Sequence, residues 1–175
     1  MSEILNFKFD FIARSQKLLL ANWDDLSKQD LEITTLLNCT ISLLCLIVAS
    51  TEEDNYQVER LNDFIKDKEF YFKSFPFDIP ENQILSHEQR LLTELVSVQS
   101  VPEYTSVSFI KKLRNSLAHG NIKPINALKN WKIIRVWNRK QNSAKTIDFV
   151  FEIDTSNLLA FYNSLADFYS TSLSN

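Results

Sequence analysis

The residues best suited to chemistry fall together in Phe109–Asn121, reading FIKKLRNSLAHGN. This stretch holds one of two histidines (His119), an arginine five residues earlier (Arg114), an asparagine beside it (Asn115) and the sole glycine of the 175 residues (Gly120). An imidazole takes a proton from a hydroxyl when neutral and gives one to a leaving oxygen when charged. A guanidinium grips a phosphate through two parallel hydrogen bonds and offsets charge that develops in a transition state. The set suits metal-free work on an RNA phosphodiester. A plainer alternative stands beside it, with Arg114 as a surface ion-pair residue and His119 as a helix-end residue next to Gly120.

The element that positions these groups reads as a helix, Tyr104–His119, capped at Thr105 or Ser106. Phe109, Ile110, Leu113 and Leu117 form its apolar stripe. Gly120 stands where a helix end favours a residue that tolerates positive φ, and Pro124 forbids quick resumption. At 3.6 residues per turn, Arg114 and His119 lie about 140° apart around the axis. One helix alone therefore does not aim both at a single point. Asn115 is one turn before His119 and shares its face.

Other chemistries lack their residues. A phosphate-cradling loop or dinucleotide fingerprint needs several glycines. Two isolated histidines and two cysteines offer no transition-metal ligand set, and no serine or cysteine nucleophile stands beside a base. No metal or cofactor is expected. Cys39 and Cys45 lie in an apolar run and read as buried core residues of a reducing compartment. Net charge is −3, yet residues 111–145 contain ten Lys or Arg and no acid, against nine basic and 22 acidic residues elsewhere. That basic third begins at the candidate motif and reads either as a nucleic-acid footprint or as a solvated face. Lys111, Lys112 and Lys123 are its candidate nucleic-acid contacts.

The run Arg114-Asn115-Ser116-Leu117-Ala118-His119, at the end of an amphipathic helix, resembles the Arg-x4-His signature of the HEPN superfamily. The resemblance implies two motif helices meeting across a two-fold interface, so that two Arg/His sets line one cleft. It also implies a metal-independent endoribonuclease of the toxin or phage-defence kind, with any antitoxin a separate protein. Carried onto this chain, Arg114 would hold the phosphate, His119 would be the acid/base and Asn115 would orient the histidine or the phosphate. The alternative within the same family is an inert homodimer that binds RNA or protein.

The rest of the chain reads as mainly α, a HEPN-like helical bundle over residues 1–175 in one domain. Phe7–Ala21 is a first amphipathic helix, and Leu31–Ser50 a long one, apolar nearly all round in its second half and so either central or covered by a partner chain. Phe70–Phe77 reads as a loop anchored by aromatics rather than a base-stacking platform, and Glu81–Ser100 as a helix carrying a surface His87. Trp131–Trp137 and Ile147–Ile153 form a small β-hairpin between the motif helix and the C-terminal helix, 154–171. In the second strand Ile147, Phe149, Phe151 and Ile153 alternate against Asp148, Val150 and Glu152. No signal peptide is visible, and Ile41–Ala49 is too short to span a bilayer, so the expectation is a soluble cytoplasmic protein with no membrane partner.

Overall fold

In a computed structural model the described residues are 2–102, 104–125, 131–141 and 146–171, with the side chains of 2–7, 9 and 75–78 outside the description. Lys129 and Lys145 of the basic third, the hairpin connector 142–145 and the Phe7, Phe75 and Phe77 side chains therefore lie outside the described residues.

The elements run α1 (Ser2–Ala21), α2 (Trp23–Lys28), α3 (Glu32–Glu53), α4 (Asn55–Ile65), β1 (Glu69–Pro80), α5 (Glu81–Ser86), β2 (Val96–Ser97), a 3-10 turn at Val98–Ser100, α6 (Ser106–Ala118), β3 (Ile122–Ile125), β4 (Ile133–Arg139), β5 (Thr146–Asp154) and α7 (Thr155–Thr171). The strands form one five-stranded antiparallel sheet in the order β2-β1-β5-β4-β3. This corrects the expectation of a mainly α bundle with a small hairpin: the fold is mixed, with helices packed on one face of a sheet. The two expected hairpin strands are members of that larger sheet, paired as Ile134 with Ile153 and Val136 with Phe151.

Two segments account for the difference. Phe70–Phe77 belongs to strand β1, paired with β5, and not to a loop. Its Phe70 and Phe72 are buried in the main core. Glu81–Ser100 is an α-helix only to Ser86; residues 87–95 continue as irregular chain, with Leu91 and Leu92 against the outer face of the sheet, and 96–100 form β2 and the 3-10 turn.

Phe109 pins α6 to the inner face. Its ring lies 5.0 Å from Phe70, 5.2 Å from Phe72, 5.9 Å from Phe149 and 5.8 Å from Phe151. Emptying such a site costs about 3–5 kcal/mol. Ile110, Leu113 and Leu117, the rest of the expected stripe, are buried in the same core. The outer face has a smaller core of Ile84, Leu92, Trp137, Ile147 and Val150.

Beneath it lies a fully buried ion pair. Arg135 and Glu152 are 0% exposed and 2.6 Å apart. Arg135 also donates to the carbonyls of Ile84, His87 and Gln89, and Glu152 accepts from the Leu91 and Leu92 amides. The pair thus ties the 84–92 segment to the sheet with every hydrogen bond directed.

Strand β5 breaks its own alternation. Asn138 pairs with Phe149 and Arg139 with Ile147, which leaves Asp148 as an extra residue in a bulge. Ile147 joins the outer core, while Asp148 meets Lys112 of α6. A bulge re-aims side chains in this way, and it overturns the face assignment of those two residues. Val150 and Glu152 are buried as well, because the 81–95 segment covers the outer face of the sheet.

Ile41–Ala49 lies within the 22-residue α3, which contains an 18-residue stretch of mean hydropathy 2.0 and so has the length and composition to cross a membrane. Here Leu36, Leu37, Leu43, Leu44, Ile47 and Val48 of that helix sit in the core. Cys45 is exposed and Cys39 half-buried, so neither is the fully buried core residue expected.

Candidate active site at the end of α6

Helix α6 starts with Thr105, whose side chain accepts from the Ser108 amide as an N-cap. It ends in a double hydrogen-bond cap, with Gly120 N donating to Leu117 O at 3.0 Å and Asn121 N to Ser116 O at 2.9 Å. This pattern needs a left-handed residue between, and Gly120 supplies φ 66°. His119 is the C-cap itself and is exposed.

His119 and Asn115 open together onto a cleft of about 900 Å³ between α6 and the ends of β4 and β5. Lys111, Lys112, Arg139 and Lys140 are four cationic residues of its lining. Asp148, Asn138 and Asn121 lie in the same wall. The Lys112 ammonium donates to Asp148, and Asn138 Nδ2 donates to the other Asp148 oxygen at 2.9 Å. These three residues were missing from the sequence reading. Asp148 and Asn138 gave no signal there, since the bulge that turns Asp148 inward is a property of strand pairing. Asn121 lay within the motif stretch itself.

Arg114 does not line this cleft. It lies 100–140° around α6 from Asn115 and His119 at helical pitch, half-buried, and its Nε is buried without a hydrogen-bond partner among the described residues. Its charge makes a minor contribution to holding the Glu52 carboxyl of α3 low. Lys111 hydrogen-bonds Glu52 at 2.9 Å and is the main reason that carboxyl lies below its ordinary range.

The basic third is largely answered by acids. Besides Lys111 and Lys112, Lys123 pairs with Glu88 at 2.8 Å and donates to Leu85 O at 2.5 Å. It fastens the 81–95 segment and lies outside the cleft, so its expected role as a nucleic-acid contact has no support in this geometry. Arg139 pairs with Glu81 at 2.8 Å, and Trp137 Nε1 donates to the same carboxylate at 2.8 Å. Burial pushes the Glu81 carboxyl up, but these two hydrogen bonds outweigh it and hold the group below the usual range. His87 is exposed, with its carbonyl bonded to Arg135. Among the described residues no three His, Cys, Asp or Glu gather as a metal-binding group.

An amphipathic helix that ends Arg-Asn-x3-His at an open, cation-lined cleft defines a HEPN-type domain. A family model described as HEPN pEK499 p136 matches residues 1–175, and the chain belongs to that HEPN family. Neither a curated protein nor a solved structure gives a significant match.

Proposed function

We propose that the protein is a metal-independent endoribonuclease of HEPN type, acting on RNA in a toxin–antitoxin or phage-defence setting in the cytoplasm. The observation that carries this reading is the shared face of Asn115 and His119 at the mouth of a cleft rimmed by Lys111, Lys112, Arg139 and Lys140. In the reaction the 2′-oxygen attacks phosphorus as its proton passes to a neutral imidazole, and the bond to the 5′-oxygen breaks as an imidazolium protonates it. The products are a 2′,3′-cyclic phosphate and a free 5′-hydroxyl. Base and acid are needed together and each chain supplies one His119, so the second comes from another copy in a homodimer. Two histidines then do the proton transfers without a metal ion. Arg114, which does not line the cleft of its own chain, holds the phosphate in the dimer. Asn115, one turn from His119, orients the histidine or the phosphate.

The test is cleavage of a mixed RNA substrate in EDTA. Wild-type protein should leave 2′,3′-cyclic ends. His119→Ala should lose at least about 100-fold in rate, as loss of a proton-transfer group does, and Arg114→Ala about as much, as loss of a charge stabilising the transition state does, with melting temperatures unchanged. Activity that disappears on chelation sinks the mechanism. The second reading, an inert HEPN dimer that binds RNA or protein, draws on the position of Arg114 outside the His119 cleft. It predicts salt-dependent RNA affinity without turnover.

A further inference from the structure

Asn121 breaks a local rule. Two residues past a helix that ends in this double cap, an apolar side chain normally packs back onto the helix. Here the position is an asparagine, 4% exposed, in the wall of the cleft. Among the described residues its carboxamide has no hydrogen-bond partner, and its polar atoms are not sealed from solvent. A local rule broken without visible gain marks a functional position.

Its place is fixed on both sides. The amide N donates to Ser116 O at 2.9 Å, and its carbonyl accepts from Trp137 N at 3.2 Å. The backbone at Asn121 is therefore anchored to α6 and β4 at once, two residues from His119, which holds the residue in the cleft wall before a ligand arrives. The cleft's lysines and Arg139 suit the phosphate backbone, which needs donors alone. A carboxamide offers a donor and an acceptor side by side, the pattern that pairs with a base edge. Unpaired RNA bases present such edges to proteins.

We propose that Asn121 reads the edge of one unpaired nucleobase beside the phosphate held at His119, making the cleft selective among bases. This rests on the RNA-cleaving reading above. The experiment maps cut sites in a random-sequence RNA pool for wild type, Asn121→Ala and the isosteric Asn121→Asp, with melting temperatures as the check on folding. Wild type should favour one base at one position flanking the cut. Asn121→Ala should flatten that preference by about 10-fold and leave other positions alone. Asn121→Asp, now acceptor only, should move it toward guanine, whose Watson–Crick edge carries adjacent donors. An unchanged preference in both variants, or an equal loss for all bases, overturns the proposal.

The second arm is binding in the His119→Ala background, using octamers of A, C and U. Adding Asn121→Ala should shrink the spread of affinities among them by about 10-fold, whereas a uniform loss overturns base reading. Absence of both RNA binding and cleavage overturns the ribonuclease reading together with this one. Cleavage that ignores Asn121 overturns this one alone.

Discussion

At the scale of single residues, the turn after α6 decides where the candidate chemistry sits. Gly120 has φ 66°, and a Cβ added there would meet nothing within 4 Å. The penalty for a side chain is thus purely conformational, about 1–2 kcal/mol for an L-residue in the left-handed region. Gly120→Ala should lower stability by about that much in urea denaturation, and Gly120→Asn by less, because asparagine tolerates this region. Cleavage by Gly120→Ala should fall more than its stability, since His119 and Asn121 flank the hinge and both shift if the cap reopens. Equal tolerance of alanine and asparagine would show that the cap is not the constraint.

At the scale of elements, the 81–95 segment and the β5 bulge shape the sheet's two faces. Arg135 and Glu152 are unusual in being wholly buried charges, and each has hydrogen bonds beyond the pair itself. Removing one partner leaves the other buried and unanswered, which costs about 3–5 kcal/mol. Arg135→Met should therefore lose that much in denaturant titrations. Amide hydrogen exchange should rise first over residues 84–92, where the carbonyls and amides lose their partners, before α6 or α7 is affected. Uniform loosening across the chain would mean that the segment is not a separate cooperative unit. The bulge works on the opposite face. By adding Asp148 to β5 it gives Lys112 an acidic partner in the cleft wall.

At the scale of the whole molecule, the geometry of α6 separates two halves of one motif. His119 opens on the cleft, while Arg114 is absent from its lining. Under the proposed function, a symmetric homodimer joining two such helices would supply both histidines to one reaction. Subunit mixing tests this directly. When wild type is re-equilibrated with His119→Ala, activity should follow the square of the wild-type fraction, about a quarter at equal mixing for a two-histidine site. A linear dependence would show that each chain works alone and would remove the shared site from the mechanism.

How much of this was legible in the chain depends on the range of the forces involved. Helix α6, its Thr105 cap, its apolar stripe and its glycine stop follow from spacings of a few residues, because helical hydrogen bonds and caps are local. The offset of Arg114 from His119 is likewise helical arithmetic. Strand β1 was not legible as a strand: an aromatic run without clean alternation becomes one only when β5, far along the chain, offers its edge. The basic third showed no acid because its partners, Glu52, Glu81, Glu88, Asp148 and Glu152, all lie outside residues 111–145 and meet it only through the fold. The sequence by itself determined the motif, the helix that carries it and the family. Only the tertiary structure decided which cations stay at the cleft, that Asp148 turns inward and that Asn121 stands in the cleft wall with no side-chain hydrogen bond among the described residues. Those outcomes come from pairing across the sheet and from charges meeting through space, and neither leaves a local period to read.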